Sequence, residues 1–152
     1  MKHLNVGEII QRNKCYEGRD EELDTNILDE DKLLDILEPL MEEAAQEGVG
    51  VVADFHVCEM FPERWFDLVL VLRSGTEVLY DRLTQRGYAE KKRSENMTCE
   101  IMQLILDEAN ESYAPAIVHE VQSNTVQDME SNVQRIQDWT KQWIIDHATK
   151  ES

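Results

Sequence analysis

The sequence predicts a single α/β domain, in which helices cover both faces of a parallel β-sheet. Two short apolar runs, Val49–Val57 and Phe66–Leu72, are rich in branched residues, as is typical of strands buried on both sides. Segments with apolar residues at helical spacing precede and follow these runs. The chain has 152 residues, three prolines and 41% hydrophobic residues, so we expect one domain over residues 1–152.

The predicted order of elements is helix, helix, strand, strand, helix, helix, strand, helix. The predicted helices cover Val6–Lys14, Asp31–Gln46, Glu77–Arg86 and Cys99–Tyr113, and the third strand covers Ile117–Val121. The last helix is capped by Thr125 with Asp128, and its predicted apolar stripe contains Met129, Val133, Ile136, Trp139 or Thr140, and Trp143. The acidic stretch Glu17–Asp31 is predicted to be a solvated loop, because its spacing of acids fails to match a calcium-binding EF-hand.

The charge of the chain argues against several classes of partner. Thirty-two acidic residues against fifteen Lys and Arg give a formal net charge of -17, which opposes direct binding to nucleic acid or anionic lipid. The apolar runs are far shorter than the ~20 residues of a membrane span, and no signal peptide is recognisable at the start. The three widely spaced cysteines indicate reduced thiols rather than a disulfide framework.

The end of the first apolar run is the first candidate site. Ligands of open parallel sheets bind beyond the carboxyl ends of the strands, and a strand places Asp54, His56 and Cys58 on one side. The Asp54 carboxylate is suited to orienting water on phosphate-bound Mg²⁺, and His56 is suited to relaying a proton. The alternative is that Asp54 caps a loop and His56 is a hydrogen-bonded interior histidine. A zinc site from all three residues is disfavoured, because no fourth ligand has suitable spacing.

A local concentration of positive charge is the second candidate feature. Seven of the fifteen cations fall within one stretch: Arg64, Arg73, Arg82, Arg86, Lys91, Lys92 and Arg93. Arg82 and Arg86 share a helix face, and the Gly87-Tyr88 pair ends that helix before the next three cations. This pattern is typical of a movable cover that brings cations to a nucleotide, although a solvated basic helix end has the same composition.

One absence constrains any kinase hypothesis. The sequence contains no phosphate-binding Gly-x-x-x-x-Gly-Lys-Ser/Thr motif, and none of its six glycines is followed by Lys.

Several motifs together nevertheless resemble one family. They are Asn5-Val6-Gly7, Tyr16-Glu17-Gly18 with Asp20-Glu21-Glu22, Ile27 to Asp31, Asp54-Phe55-His56, Phe61-Pro62-Glu63-Arg64-Trp65-Phe66, Arg86-Gly87-Tyr88 with Glu90-Lys91-Lys92, and Ile117-Val118-His119. In these motifs, from Asn5 to His147, the sequence resembles the adenylate kinase isoenzyme 6 family, a nuclear adenylate kinase and ATPase family also called coilin-interacting nuclear ATPase. The resemblance implies a P-loop nucleoside monophosphate kinase fold.

The resemblance also implies a function. It implies ATP and Mg²⁺ as cofactors, AMP as the phosphoryl acceptor, and an ATPase side activity. It further implies a role in maturation of the small ribosomal subunit, in the nucleus and cytoplasm, with a small-subunit ribosomal protein and coilin as candidate partners.

The resemblance assigns roles to residues of this sequence. Residues 5–28 correspond to the monophosphate-binding segment, in which Asn5 and Gly7 bind nucleotide. Asp54 and His56 correspond to the catalytic pair, and Asp54 reaches Mg²⁺ through water. Residues 85–95 correspond to the lid, which carries Arg86, Tyr88, Lys91 and Lys92, with Arg86 reaching ATP.

The sequence departs from the family at its start. Family members begin with a strand, a Gly-rich P-loop and a helix, and this sequence starts after them. A sheet without that middle strand is expected to keep a gap or to close up, with apolar side chains exposed. The chain also has Gln11, with Arg12 one step later, where the family offers an Arg to the monophosphate. Two hypotheses remain: a family kinase completed by a P-loop, or a catalytically inactive module that binds a protein partner.

Overall fold

Strands and helices alternate along the chain, which confirms the predicted α/β class. The structure is a computed structural model that describes residues 1–22 and 25–148, and those residues form six strands and six α-helices. The strands are β1 (Lys2–Asn5), β2 (Tyr16–Asp20), β3 (Thr25–Leu28), β4 (Val51–Asp54), β5 (Val69–Arg73) and β6 (Val118–Gln122). The α-helices are α1 (Val6–Asn13), α2 (Glu30–Glu47), α3 (Thr76–Gln85), α4 (Glu90–Ile101), α5 (Leu104–Ser112) and α6 (Val126–Ala148). None of the described helices is long and apolar enough to cross a membrane.

The strands form three separate pairs. β1 and β4 are parallel, from Lys2 opposite Val51 to Asn5 opposite Asp54, and β5 and β6 are also parallel. β2 and β3 form an antiparallel hairpin. Within the described residues no hydrogen-bonded ladder joins β4 to β5, so the parallel sheet is divided into two halves. Two outcomes were expected for a sheet without its middle strand: a gap, or closure of the remaining strands. The structure has a gap between β4 and β5.

Helix α6 lies beside both halves of the divided sheet. One cavity of about 210 Å³ lies between α6 and the β5–β6 pair and is lined by Leu70, Val121 and Ile136. A second cavity, of about 380 Å³, is lined by Met1 and again by Ile136. No residue of α6 is buried, so the helix packs only loosely beside the strands.

The sheet halves have separate cores. The larger core lies beside β1 and β4 and contains Val6, Ile9, Ile10, Cys15, Leu33, Leu37 and Phe61. The smaller group of buried residues lies around β5 and β6 and contains Val71, Leu83, Ala109, Tyr113 and Val121. Rings of the Phe61–Phe66 segment join the two groups, because Phe66 contacts both Phe61 and Tyr113 at centroid distances of 5.8 and 6.0 Å.

Three predicted helices agree with the structure to within one or two residues. The helices predicted over Val6–Lys14, Asp31–Gln46 and Glu77–Arg86 correspond to α1, α2 and α3. The predicted capping box also forms before α6. The Asp128 N–H donates to Thr125 Oγ1 at 3.0 Å, and Asp128 Oδ2 accepts from the Thr125 N–H at 3.3 Å.

The acidic stretch Glu17–Asp31 is not the predicted loop, because most of it forms the β2–β3 hairpin. Backbone pairing stabilises this hairpin, with Tyr16 and Leu28 packed against the larger core. The loop prediction was wrong because it was based on the acidic composition of the segment, which does not report backbone pairing. Strand β1 was also missed, since Lys2 and His3 give it little apolar signal and its pairing with β4 depends on residues ~50 positions away.

The single helix predicted over Cys99–Tyr113 is divided into α4 and α5. The break falls at Gln103, whose φ of 59° is left-handed. Arg73 Nη2 donates to the Glu100 carbonyl at 3.1 Å, and Arg73 Nε donates to the Glu100 carboxylate at 2.6 Å. A side chain from β5 thus takes a carbonyl near the end of α4, which compensates for ending the helix there.

The strands are less buried than predicted. Val52 of β4 is 45% exposed and Leu72 of β5 is 59% exposed, so neither strand is covered on both faces. In the predicted stripe of α6, Ile136, Trp139 and Trp143 are half-buried, whereas Met129 and Val133 are exposed. These apolar side chains flank the divided sheet, as expected when its middle is unfilled.

Candidate functional site

The carboxyl ends of β1 and β4 lie side by side and form the edge where the predicted site residues meet. Asn5 and Asp54 are opposite each other in the parallel register. Helix α1 begins directly after Asn5, whose side-chain oxygen accepts from the Glu8 N–H at 3.2 Å. Asn5 is therefore the N-cap of α1. A Cβ at Gly7 would lie 3.4 Å from that same oxygen, in close van der Waals contact with the cap.

Asp54 projects from this edge into solvent, since 64% of its side chain is exposed. Its Oδ2 lies 3.4 Å from His3 Nε2 on the neighbouring strand. Sequence reasoning missed His3, because only the β1–β4 register places it beside Asp54. The exposed carboxylate at the end of a strand suits the role predicted for Asp54.

His56 lies in the loop that follows β4 and contacts the Phe55 ring at a centroid distance of 4.2 Å. Loss of hydration around the imidazole lowers the pKa of His56, and the positive charge of Lys92 lowers it further. The neutral imidazole is therefore favoured. The charge of the predicted lid residue Lys92 thus acts on the predicted catalytic residue His56.

Cys58 does not join Asp54 and His56. It is half-buried and packs against the larger core. Burial raises the pKa of the Cys58 thiol, and the charges of Glu108 and Glu59 raise it further. The predicted common side fails because β4 ends at Asp54, after which the two-residue alternation of a strand no longer applies. Among the described residues there is no group of three or more His, Cys, Asp or Glu side chains that could hold a metal ion.

The predicted lid, residues 85–95, is the corner between α3 and α4. Gly87 has a φ of +73°, a left-handed conformation that favours glycine and allows the turn. Arg86 is exposed, and within the described part of the chain its side chain makes no hydrogen bond or ion pair. Lys92 Nζ lies 4.3 Å from the centre of the Tyr88 ring. Lys91 forms an ion pair with Glu22 of the hairpin, with 3.1 Å between Nζ and Oε2.

The other clustered cations have structural contacts. Arg82 was predicted to share a face with Arg86, yet its guanidinium is half-buried and donates to the carbonyls of Ser123 at 2.7 Å and Asn124 at 3.3 Å. Arg93 Nη1 donates to the Tyr88 carbonyl at 3.0 Å. The density of cations in the sequence therefore overstates the charge that the lid can offer to a ligand.

The same holds for the two remaining cations of the stretch. Arg73 is bound to Glu100, as described above, and to Glu120 at 3.2 Å. Arg64 forms an ion pair with Glu38 of α2. Of the seven clustered cations, Arg86, Lys91 and Lys92 remain as lid residues.

The predicted monophosphate-binding segment, residues 5–28, forms α1 and the β2–β3 hairpin. Gln11 and Arg12 are both exposed near the end of α1. After β2, the Glu22 N–H donates to Asp20 Oδ1 at 3.0 Å. Asp24, which lies in this segment, is outside the described residues.

Comparisons with known proteins agree on one family. A family model of the AAA domain matches residues 1–103. An adenylate kinase isoenzyme 6 homolog of Candida albicans is 51% identical over 146 residues, which are 96% of this chain and 57% of that protein. Homologs of the same name from Saccharomyces cerevisiae and Caenorhabditis elegans are 48% and 45% identical.

The matched region is nearly all of this chain but only part of the relatives. The match covers 96% of this chain and 72% of the Saccharomyces protein, and 97% of this chain and 80% of the Caenorhabditis protein. The chain thus spans little more than half the length of the Candida relative. On this likeness, the chain belongs to the adenylate kinase isoenzyme 6 family, a family of nucleotide kinases.

Proposed function

We propose that this chain carries the catalytic edge of a nucleoside monophosphate kinase that converts ATP and AMP to ADP, with ATP hydrolysis as a side reaction. One observation supports this most directly. Asp54 is exposed at the carboxyl end of β4, His56 follows two residues later, and the charge of the lid residue Lys92 acts on His56. A carboxylate, a neutral imidazole and a mobile cation are the groups that phosphoryl transfer uses.

Asp54 acts on Mg²⁺ through water in this proposal. A lone exposed carboxylate suits such a water-mediated contact, whereas direct coordination by protein would need several oxygen ligands. When bound with ATP, Mg²⁺ supplies charge neutralisation on the phosphates. Asp54 then orients the hydrated ion at a height fixed by β4.

His56 is the proton acceptor of the pair. Its lowered pKa keeps the imidazole neutral at physiological pH, so it can accept a proton from, or orient, a water that attacks ATP. The exposed Arg86 and Lys92 stabilise phosphate charge when the lid closes, as cations do in phosphoryl transfer. Asn5 and Gly7 shape the start of α1, where backbone N–H groups favour an anion.

The proposal requires a phosphate cradle that the 152 residues do not contain. In a P-loop enzyme, backbone N–H groups and a Lys hold the β- and γ-phosphates. Asp54 alone cannot recruit the nucleotide, because its negative charge repels phosphate in the absence of Mg²⁺. We therefore propose that this chain becomes active when the strand, Gly-rich loop and helix of the family are joined to it.

Calorimetric titration with Mg·ATP tests this requirement. The 152-residue chain is expected to show no saturable binding, and the same chain extended by a family P-loop segment is expected to bind. Saturable binding by the 152-residue chain would contradict the assignment of the phosphate site. Absence of binding by the extended, folded chain would contradict the kinase proposal itself.

A catalytically inactive module that binds a protein is the second candidate. The exposed apolar residues of α6, Val126, Met129, Val133 and Ile144, favour it, because side chains of this kind are common at interfaces. In this case the P-loop extension would restore neither ATP binding nor turnover.

The cellular role is proposed from the family resemblance alone. We propose that the protein acts in maturation of the small ribosomal subunit, in the nucleus and cytoplasm, and binds a small-subunit ribosomal protein, with coilin as a further candidate. Depletion in the source cells should cause precursors of the small-subunit RNA to accumulate. Unchanged levels of these precursors would contradict the role.

A further inference from the structure

Among the residues that the structure describes, one ion pair joins the β2–β3 hairpin to the lid helix α4, and these two elements are called the arms below. Lys91 is in the first turn of α4, and Glu22 is at the turn of the β2–β3 hairpin, 69 residues away in the chain. Their charged atoms are 3.1 Å apart. The hairpin is part of the predicted monophosphate-binding segment, and α4 carries the lid cations Lys91 and Lys92. This contact therefore connects the two segments that would enclose a nucleotide.

Packing holds α4 weakly, and it anchors the hairpin only at its base, through Tyr16 and Leu28. α4 has no buried residue and packs mainly on α3 and α5. β2 and β3 make their main contacts with each other. Elements with few buried apolar contacts open at low free-energy cost, so one charged contact between them can shift the distribution of their positions.

The geometry of α4 links this contact to a second cation of the lid. Lys91 and Lys92 are successive residues, and their side chains therefore point about 100° apart around the helix. Lys91 points to the hairpin, whereas Lys92 Nζ lies 4.3 Å from the centre of the Tyr88 ring. Fixing Lys91 therefore also fixes the direction of Lys92.

On the Glu22 side, a local hydrogen bond fixes the backbone next to the ion pair. The Glu22 N–H donates to Asp20 Oδ1 at 3.0 Å, at the end of β2. The adjacent Glu21 makes no side-chain hydrogen bond or ion pair within the described residues. The chain carries a net charge of -17, so Lys91 has many possible acidic partners, and Glu22 is the one with which it pairs.

We propose that Glu22 is a positioning residue that holds the lid helix against the hairpin through Lys91 in the nucleotide-free protein, and so fixes the direction in which α4 presents Lys92. The proposal rests on the proposed function for the meaning of that direction, but the contact itself is testable without activity. Exposed ion pairs contribute little, so we expect the pair to change the ratio of closed to open arms about two- to fivefold.

The Lys91–Glu22 ion pair is called the latch below. Distance measurements between two spin labels by electron paramagnetic resonance, on the nucleotide-free chain, test it. Spin labels at Ile27→Cys on the hairpin and Glu95→Cys on α4 report the separation of the arms. Cys58→Ser and Cys99→Ser remove the half-buried thiols, while the fully buried Cys15 is kept. Glu22→Lys and Lys91→Glu should each lower the population of the short distance about two- to fivefold.

Charge exchange gives the decisive control. The double variant with both Glu22→Lys and Lys91→Glu should recover the short distance, because it rebuilds the pair with reversed charges. Glu21→Lys makes the same change of charge one residue away and should leave the distances unchanged. Circular dichroism spectra equal to those of the parent chain would show that each variant folds.

Three results would overturn the latch: an unchanged distribution in Glu22→Lys, no recovery in the double variant, or equal opening in Glu21→Lys. These results concern the nucleotide-free chain. If the distance experiment contradicts the latch, the proposed kinase activity is unaffected. If the binding experiment contradicts the kinase activity, the distance result still stands.

Discussion

The Tyr113 hydroxyl donates to the Cys58 carbonyl at 2.6 Å and lies 3.4 Å from the Phe61 carbonyl, although 52 to 55 residues separate these partners in the chain. Tyr113 follows α5, beside the β5–β6 half, whereas Cys58 and Phe61 follow β4. Burial raises the pKa of Tyr113 to about 12, and the nearby Cys58 and Glu63 add to the shift. The hydroxyl thus remains a donor and connects the two halves of the divided sheet.

Tyr113→Phe should lower the free energy of unfolding by about 1–2 kcal/mol, because the Cys58 carbonyl loses its hydrogen-bond donor while the ring packing remains. Urea denaturation followed by tryptophan fluorescence measures this change. Tyr80→Phe is the matched control, since Tyr80 is 45% exposed and its hydroxyl makes no hydrogen bond among the described residues. Equal loss in both variants would mean that the hydroxyl of Tyr113 does not couple the halves.

Arg73→Met should lower the free energy of unfolding by roughly 2–3 kcal/mol, somewhat less than the loss of a fully buried ion pair. The side chains of Arg73 and Glu100 are only 14% and 19% exposed, so the substitution leaves the Glu100 carboxylate poorly solvated. Arg64→Met removes a pair in which Arg64 is 66% exposed, and should cost less than about 1 kcal/mol. Thermal unfolding of both variants compares the two, and a larger loss in Arg64→Met would contradict this assignment.

Much of this fold could be predicted from local patterns. Helices α1, α2 and α3 repeat apolar residues at helical spacing, and α6 begins at a recognisable capping box of Thr125 and Asp128. Two features that depend on distant partners were not predicted. The β2–β3 hairpin is stabilised by backbone pairing between acidic segments, and the break at Gln103 depends on Arg73, 30 residues earlier.

In the candidate site, too, local features could be predicted and contacts between distant residues could not. The positions of Asp54 and His56 followed from the end of a strand, a local signal. The His3 contact depends on β1–β4 register, and the Lys91–Glu22 pair depends on the relative placement of two arms. The sequence also did not show which cations are available to a ligand. Arg82, for example, donates to a backbone carbonyl beyond β6, and a contact of this kind has no sequence signature.

His56 should titrate below the ordinary histidine pKa of 6.5, which ¹H–¹⁵N spectra of the imidazole measure directly. Lys92→Met should raise this pKa only in part, because loss of hydration is the larger cause. Lys141→Met removes a charge from α6 and should leave the pKa of His56 unchanged. A His56 pKa at or above 6.5 in the parent chain would contradict the environment described for this residue.

The same shift gives a pH dependence of stability. The unfolded chain binds a proton at His56 more readily than the folded chain does, so the free energy of unfolding should fall as pH drops through about 6.5. Chemical denaturation at several pH values measures this slope. In His56→Asn that contribution should vanish, and an identical slope in parent and variant would show that His56 does not contribute.

The most direct test of the proposed catalytic edge is Mg²⁺-dependent formation of ADP from ATP and AMP. The chain extended by a family P-loop segment should catalyse it, and Asp54→Ala in the extended chain should lower kcat by about 10²-fold or more, because one well-placed electrostatic group is worth that much in such reactions. The 152-residue chain alone should form no ADP. If the 152-residue chain forms ADP at a rate that Asp54→Ala eliminates, or if Asp54→Ala leaves the extended chain fully active, the account of this edge is wrong.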